Sequence, residues 1–297
     1  MSNQVDTALV QTYRSNIEIQ FQQKGSRLRN SVRVESQKAE FDFYDRIGPV
    51  DAVEITSRHS DTPLLETPHT RRRVGMRDFD WADMIDRPDK IRMLADPTSS
   101  YTQNAVYSLG RKMDDIIIEA ALGTASTDKS GGTPLTFSGD GGQTIAVNYQ
   151  ESGTAANSNL TIGKLRRARY LLDQAEAVDD GDSLTCVVTA SQIQALLRTV
   201  EVTSADYNTV KALVNGDINS FMGFNFLRTE RLTFSTGTQR SVLIYPSSAI
   251  TLAMGTDITV DVGPRRDKRN NTQVYVCASF GAVRMWGEKV VEVLCEE

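Results

Sequence analysis

The sequence is poor in histidine and cysteine and contains no long apolar run. Its only histidines, His59 and His69, have no cysteine near them, so neither a zinc site nor a histidine-based catalytic pair is indicated. Cys186, Cys277 and Cys295 are widely spaced in apolar surroundings, which predicts buried, reduced thiols in a reducing compartment. No run approaches the roughly 18 apolar residues of a membrane helix, and no secretory signal is evident. These absences predict a soluble cytoplasmic protein without membrane contact.

The sequence also lacks an excess of basic residues. Its 33 Lys and Arg against 38 Asp and Glu give a formal charge of −5, which disfavours a general polyanion binder. Hydrophobic residues at 39% and charged residues at 24% are typical of a globular protein with a real core. No arrangement of residues indicates a catalytic centre, a cofactor or a metal.

The N-terminal segment 6–24 predicts a helix with one narrow apolar stripe on a Gln-rich surface. The stripe consists of Leu9, Tyr13, Ile17 and Phe21. It is too thin to anchor the helix in a core, and Gly25 and the alternating segment 27–34 then indicate a stop and an extended arm. We expect this arm to contact a neighbouring copy of the chain.

Residues 49–77 predict an extended β-hairpin that projects from the body. Val53 with Ile55 and Val74 with Met76 have strand spacing on its two sides. Its three consecutive arginines, Arg71, Arg72 and Arg73, could mark a nucleic-acid patch, but the acidic residues before them favour a contact with another subunit. In a strand, Arg71 and Arg73 would share one face and Arg72 would lie on the other.

Beyond the hairpin, helical and extended patterns alternate. A short helix is predicted over Asp83–Leu94 and a long amphipathic one over 98–123, with Asp96-Pro97 at its start. The next predicted elements are a helix over 160–175 and, over 184–200, a buried strand that leads into a helix. The rest of the chain is mainly strand. Phe79 and Trp81 are expected to share a face and pack on the body.

Two motifs permit an enzymatic interpretation. Gly123–Ser130 (GTASTDKS) is one residue away from a phosphate-binding loop, but it follows a helix and carries Asp128 in place of a required glycine, which favours a simple loop. Asp78, Asp80 and Asp83 could be paired catalytic carboxylates, but the arginines around them favour an ion network.

The order of these elements resembles the major capsid proteins of tailed bacteriophages, with the HK97-like fold. The pattern is closest to short-tailed-phage capsid proteins in RRRVGMRDFDWADMID with the following SLGRKMDDIIIEAALG, in LTIGKLRRARYLLDQAEAVDDGDSLTCVVTASQIQALL, in INSFMGFNFLRTERL and in SFGAVRMWGEKVVEVL. The likeness covers most of the chain from about Arg27 onward.

The resemblance implies an α+β fold in four parts. These are an N-terminal arm (1–37), an extended hairpin or E-loop (38–80), a peripheral domain (81–150 and 258–282) with its spine helix at 98–123, and an axial α/β domain (151–257 and 283–297). Residues 201–208, with Glu201 and Asp206, would face the axis of a capsomer.

The resemblance further implies a coat protein that forms pentamers and hexamers of an icosahedral shell around double-stranded DNA. Assembly would take place in the bacterial host cytoplasm, with a separate scaffolding protein and a portal as partners and a decoration protein as a further candidate. Some members of the fold cross-link through a hairpin lysine, but this chain has no lysine between Lys38 and Lys90, which predicts non-covalent stabilisation. An encapsulin-like compartment and, less favoured, an oligomeric α/β enzyme remain as alternatives.

Overall fold

The structure is a computed structural model and describes residues 22–58, 61–62, 64–86, 98–178, 182–198 and 220–297. These residues form three sheets and three α-helices, joined by short 3-10 turns. The chain divides into two compact units: a smaller unit of residues 1–26, 78–111 and 256–279, and a larger unit of residues 27–77, 112–255 and 280–297. None of the described helices is apolar enough over a sufficient length to cross a bilayer.

The longest helix, α1, spans Thr98–Leu122 and confirms the spine helix predicted over 98–123. Its buried positions recur every three or four residues, as a helix with one packed face requires. They include Ala105, Leu109, Met113, Ile116 and Ile117. The helix ends at Gly123, whose amide donates to the carbonyl of Glu119 at 2.7 Å. The predicted cap at Asp96-Pro97 lies outside the described residues.

A four-stranded sheet has the order β1-β13-β14-β4. Its strands are β1 (Arg33–Ser36), β4 (Arg77–Ile85), β13 (Ile250–Arg265) and β14 (Asn271–Arg284). Phe79 and Trp81 share the more buried face of β4, as predicted, although both are only half-buried. The helix predicted from Asp83 is wrong for its first residues: side-chain alternation continues through Asp83–Ile85, which belong to β4, and the remainder lies outside the described residues.

The larger unit is built on a seven-stranded sheet, ordered β7-β15-β12-β8-β10-β9 with β11 paired to β12. The strands are β7 (Gln143–Ile145), β8 (Leu184–Val188), β9 (Ser220–Phe221), β10 (Phe224–Arg228), β11 (Phe234–Thr236), β12 (Gln239–Pro246) and β15 (Val291–Glu296). Strand β8 is buried at all five residues and pairs in parallel with β10, a pattern typical of central strands covered on both faces.

Two capped helices accompany this sheet, and both were predicted. Helix α2 spans Ile162–Gln174, and the Thr161 hydroxyl at its N-cap accepts a hydrogen bond from the Lys164 amide at 3.3 Å. Helix α3 spans Ala190–Leu197 and begins with a capping box formed by Thr189 and Gln192.

The segment FMGF, in the part of the chain predicted to be mainly strand, contains a tight turn. Met222 and Gly223 have φ values of 54° and 81° and separate β9 from β10. Two consecutive positive φ values are what a two-residue hairpin turn of the primed type needs, and glycine adopts the second at no steric cost.

The third sheet, β2-β3-β5-β6, contains the predicted hairpin. Its strands are β2 (Phe41–Ile47), β3 (His69–Gly75), β5 (Ala125–Thr127) and β6 (Thr133–Leu135). The antiparallel register runs from Phe41↔Gly75 to Ile47↔His69, so the first strand lies earlier than the predicted Val53 and Ile55. Those two side chains are 54% and 81% exposed, and their segment has no strand partner among the described residues. The simple loop predicted over Gly123–Ser130 is wrong for Ala125–Thr127, which form β5 and pair with β3 and β6. Only the part after Thr127 is the loop that connects β5 to β6.

Candidate assembly surface

The β2–β3 hairpin has two chemically different faces because its side chains alternate. Tyr44 pairs with Arg72 in the register, and both lie on the inner face together with buried Val74. Arg71 and Arg73 lie on the opposite, outer face. The predicted separation of Arg72 from its two neighbours is therefore confirmed.

The inner face of the hairpin contacts the rest of the larger unit through four charged side chains. We call them the arginine cluster, which consists of Arg46, Arg72, Arg284 and Asp140. Arg72 Nη2 donates to Asp140 Oδ1, and Arg284 Nε donates to Asp140 Oδ2 at 3.1 Å. Arg46 Nη1 lies 3.9 Å from the same carboxylate. The side chains of Arg72 and Arg284 are 0% exposed and that of Asp140 is 6% exposed, so these charges meet in the interior.

Backbone oxygens and two aromatic rings, Trp286 beside Arg46 and Phe137 beside Arg284, complete the cluster. Arg284 Nη1 donates to the carbonyls of Ala121 at 2.9 Å and Gly123 at 2.8 Å, at the end of α1. The Arg46 guanidinium carbon lies 4.4 Å from the centre of the Trp286 ring, a cation–π distance. Four segments, the hairpin, α1, the 3-10 turn at Asp140 and the end of β14, therefore meet at one carboxylate.

The cluster holds more positive than negative charge. Burial lowers the pKa of the Arg284 guanidinium, and the hydrogen bond that Arg284 donates to Asp140 opposes that shift. Burial also lowers the pKa of Arg46, and the positive charge of Arg72 lowers it further. Arg72 Nε and Nη1 have no hydrogen-bond partner among the described residues. Among the described residues, Asp140 is therefore the one carboxylate within hydrogen-bonding or ion-pair distance of these three arginines.

The outer face combines exposed aromatic rings with arginines. Arg71 donates to both carboxylate oxygens of Asp45, at 2.5 and 3.2 Å, and this hydrogen bond lowers the pKa of Asp45. Arg71 also lies 5.4 Å from the ring centre of Phe43, and Arg73 lies 4.3 Å from that of Phe41. The two phenylalanines are 38% and 41% exposed. No described carboxylate pairs with Arg73.

The loop that joins β2 to β3 exposes apolar side chains over its described length. Exposure reaches 81% at Ile55 and 97% at Leu64. The same property extends to Val50, Val53 and Leu65 in the loop and to Ile47 at the end of β2. Exposed apolar residues that form a patch mark surfaces that contact another molecule.

The structure divides the predicted contact residues into three groups. Arg71 and Arg73 lie together on the outer face of the hairpin. Arg72 is buried and pairs with Asp140 of its own chain, so it is not available for the subunit contact predicted for it. The predicted residues Leu9, Tyr13, Ile17, Phe21, Glu201 and Asp206 lie outside the described residues.

Sequence reasoning missed the partners of these arginines. Asp45, Phe41 and Phe43 belong to FDFYDRI, whose alternation of apolar and charged residues is a strand signal next to the hairpin. No local signal could have paired Arg72 with Asp140, because 68 residues separate them. The predicted thiols are buried at Cys186 and Cys295 and half-buried at Cys277, and all three are free. Among the described residues no group of side chains could hold a metal ion.

Comparison with families of known proteins gives a match over residues 5–297 to the model described as phage capsid protein. The chain belongs to the phage capsid protein family. No curated protein matches its sequence.

Solved structures share the fold of this capsid protein at low sequence identity. The capsid of the cyanophage P-SCSP1u has a TM-score of 0.74 at 14% identity, over 99% of this chain and 94% of that one. A structure from Mycobacterium phage Che8 has a TM-score of 0.70 at 14% identity over 96% of both chains. The cyanophage Pam1 capsid also has a TM-score of 0.70 at 14% identity, over 98% of this chain and 97% of that one. The α+β architecture is therefore the HK97-like capsid fold.

Family and fold together make this chain a major capsid protein, a structural component of the virion capsid that assembles into a multimeric shell. The prediction from sequence is confirmed at this level. The encapsulin-like alternative is not favoured.

Proposed function

We propose that this capsid protein assembles through pentamers and hexamers into an icosahedral shell that encloses double-stranded DNA, with its β2–β3 hairpin lying across a neighbouring subunit. The observation that carries the proposal is the outer face of the hairpin. It carries the half-buried Arg71 and Arg73 beside the exposed rings of Phe43 and Phe41, next to a loop whose apolar side chains are not covered by the described residues.

The composition of this face suits a contact between proteins. Arginine and aromatic residues are enriched at the centre of interfaces, where a guanidinium stacked on a ring stays available for a carboxylate of the partner. Arg73 is held over Phe41 and has no carboxylate among the described residues, so a neighbouring subunit can supply one. Arg71 is held in place by Asp45.

Stabilisation of the shell is non-covalent in this proposal. No lysine lies between Lys38 and Lys90, so the β2–β3 hairpin has no side-chain amine that could act as the nucleophile of an isopeptide bond. The apolar stripe of the N-terminal arm, Leu9, Tyr13, Ile17 and Phe21, adds a second contact between copies. Glu201 and Asp206 face the axis of the capsomer.

The remaining assignments rest on the resemblance to the family. The chain has an arm (1–37), an E-loop (38–80), a peripheral domain (81–150 and 258–282) and an axial domain (151–257 and 283–297). It acts without catalysis or a cofactor and binds no specific DNA sequence. It assembles in the host cytoplasm with a scaffolding protein and a portal, and a decoration protein is a further partner to be sought.

The experiment replaces both outer arginines, Arg71→Ala with Arg73→Ala. Exposed ion pairs contribute about 0–1 kcal/mol to folding, so the melting temperature of the subunit should change little. In an interface, removing one member of a desolvated charge pair costs about 2–5 kcal/mol, and every subunit repeats the loss. We expect folded subunits that form few shells, or shells that dissociate at lower salt, as measured by sedimentation and negative-stain microscopy.

The matched control is Arg166→Ala. This exposed arginine belongs to α2, not to the hairpin, and forms an ion pair with Glu151 at 3.0 Å. It should assemble like the unaltered protein. Normal yield and salt tolerance in the double variant would contradict the role of the hairpin. Small discrete oligomers of the unaltered protein, under all conditions, would contradict the shell itself.

A further inference from the structure

A cavity opens at the base of the β2–β3 hairpin, within the larger unit. Strand β5 begins at Ala125 and pairs with β3 at Arg72 and Arg73, so β3 continues through Val74 and Gly75 without β5 beside it. The last turns of α1 and the end of β14 border the space that this leaves, which has a volume of about 350 Å³. This volume lies within the range of small-molecule sites.

Part of the cavity wall is apolar. Three elements contribute buried side chains to it: Val74 of β3, Ile116 of α1 and Val283 of β14. Ala120 and Ala125 also line the cavity, and their small side chains leave its volume open. Such a wall favours an aliphatic or aromatic group, because binding removes the apolar surface of that group from water.

The polar part of the wall contains one arginine whose charge no described carboxylate balances. Three arginines line the cavity. Arg77 donates to both carboxylate oxygens of Glu119, at 2.9 and 3.1 Å. Arg284 is paired with Asp140. Among the described residues Arg73 has no such partner, so its guanidinium can bind an anion that enters the cavity.

The side chain of Arg73 is held in place without a ligand. Its guanidinium carbon lies 4.3 Å from the centre of the Phe41 ring. Its stem packs against Gly131, where φ is 69° and an added Cβ atom would lie 2.6 Å from that of Arg73. Ser126, which also lines the cavity, is the register partner of Arg73. The hydroxyl and the guanidinium therefore lie side by side on one face of the sheet.

The C-terminal end of α1 borders the cavity, and its carbonyl groups are already occupied. A helix C-terminus carries partial negative charge, which by itself would repel an anion. The carbonyl of Glu119 accepts from the Gly123 amide. The carbonyls of Ala121 and Gly123 accept from Arg284, whose positive charge offsets that of the helix end. The helix therefore does not prevent an anion from binding beside Arg73.

We propose that this cavity binds a small organic carboxylate with an apolar body. The carboxylate accepts hydrogen bonds from the Arg73 guanidinium and the Ser126 hydroxyl, and the apolar body packs against Val74, Ile116 and Val283. A cavity of about 150 Å³ holds one benzene ring, so this one holds a ligand of roughly twelve heavy atoms. In a shell, the carboxylate of a neighbouring subunit is proposed to meet Arg73, so the ligand belongs to the unassembled subunit.

The test measures binding of 3-phenylpropionate to unassembled full-length subunits. The matched probe is 3-phenylpropionamide, which has nearly the same shape and no charge. Ligand-observed NMR titrations give both dissociation constants. We expect the carboxylate to bind at least about tenfold more tightly than the amide, because hydrogen bonds that involve charged groups are the stronger ones.

Two variants locate the binding site. Arg73→Met keeps an unbranched side chain and removes the charge, so it should weaken binding of the carboxylate at least about tenfold and leave binding of the amide unchanged. Ala120→Leu fills the cavity from α1 with a residue that favours helix, and it should abolish binding of both probes. Arg166→Met, which changes an exposed arginine of α2, is the control and should bind both probes like the unaltered protein. Circular dichroism and melting verify that each variant is folded.

Three results would overturn the proposal. Equal affinity of the unaltered subunit for the two probes would show that no cation holds the carboxylate. Unchanged affinity for the carboxylate in folded Arg73→Met or Ala120→Leu would place its binding elsewhere. No binding of either probe at about 10 mM would show that the cavity takes no ligand of this class. Each result leaves the proposed function standing, because binding is measured without assembly of a shell.

Discussion

Two sites in the larger unit bury cationic side chains, and they do so in different ways. Lys164 is 0% exposed, and its Nζ donates to the carbonyls of Ser158 at 2.7 Å, Val147 at 2.9 Å and Leu294 at 2.9 Å. Three donors meet three acceptors, so the ammonium is fully satisfied. The arginine cluster instead buries several guanidinium groups around Asp140 and leaves Arg72 Nε and Nη1 without partners.

At Lys164 every donor of the buried charge has an acceptor, whereas at the arginine cluster the positive charges outnumber the carboxylates that neutralise them. At Lys164 the backbone of three distant segments is bonded to one charge, and burial lowers the pKa of that ammonium without any carboxylate in hydrogen-bond contact. At the arginine cluster, a single carboxylate balances charges from the hairpin and from β14. Lys164 is therefore held by three bonds to backbone oxygens, whereas the buried guanidinium groups of Arg72 and Arg284 share one carboxylate.

The largest effect is expected from Asp140→Asn. The substitution keeps the shape of the side chain but removes the negative charge that Arg72 and Arg284 share, and an uncompensated buried charge costs about 3–5 kcal/mol. Urea unfolding of unassembled subunits should show this loss. Asp128→Asn, an exposed change nearby, is the matched control and should leave stability within about 0.5 kcal/mol. Equal stability of Asp140→Asn and the control would show that the cluster does not hold the hairpin.

A smaller effect is expected from Lys164→Met. The substitution keeps an unbranched chain and removes a buried charge, but it leaves the carbonyls of Val147, Ser158 and Leu294 without their donor. Each orphaned acceptor costs about 1–3 kcal/mol, and relief of the desolvation penalty offsets part of this, so we expect a net loss of about 2 kcal/mol. Lys129→Met on the exposed β5–β6 loop is the control. A loss larger than that of Asp140→Asn would invert the comparison.

The smallest effect, about 1 kcal/mol per pH unit, is expected from alkaline titration, which distinguishes the two sites. Burial raises the pKa of Cys295, beside Lys164, to about 12 and that of Cys186 well above 9.0. Because these folded-state pKa values exceed the unfolded ones, the stability they contribute is full below pH 9 and is lost as pH rises towards 12. Lys164, with its lowered pKa, acts in the opposite direction but is outnumbered.

The measurement is the free energy of unfolding of the subunits between pH 8 and 11, expected to fall above about pH 9. In a variant with Cys186→Ala and Cys295→Ala the slope should flatten between about pH 9 and 10, whatever the cost of the substitutions themselves. Above that range Tyr44 and Tyr245, whose pKa values burial also raises, continue to lower stability. The arginines stay charged throughout this range, so Asp140→Asn should shift the curve without changing its slope. An unchanged slope in the double-cysteine variant would exclude the thiols as the cause.

The periodic elements could be predicted from sequence, and the long-range pairs could not. The stripe of Ala105, Leu109 and Met113 defined α1, and the alternation around Arg72 placed it opposite Arg71 and Arg73, because both patterns are local. The helix expected over Asp83–Leu94 was wrong at Asp83–Ile85, where strand pairing overrode a short helical pattern. Asp140 was missed because a Gly-rich turn gives no sign of the arginines that distant strands bring to it.

The shared carboxylate of Asp140 also has a consequence for inheritance. A mutation that removes this carboxylate leaves Arg72 and Arg284 buried without a counter-charge. A mutation that removes one of the two arginines reduces the excess of positive charge only while Asp140 remains. Insertions into the three-residue turn Ser138–Asp140 would displace the carboxylate from both. Descendants of this chain should therefore change these three positions together and keep the length of the turn, even where the surrounding surface drifts freely.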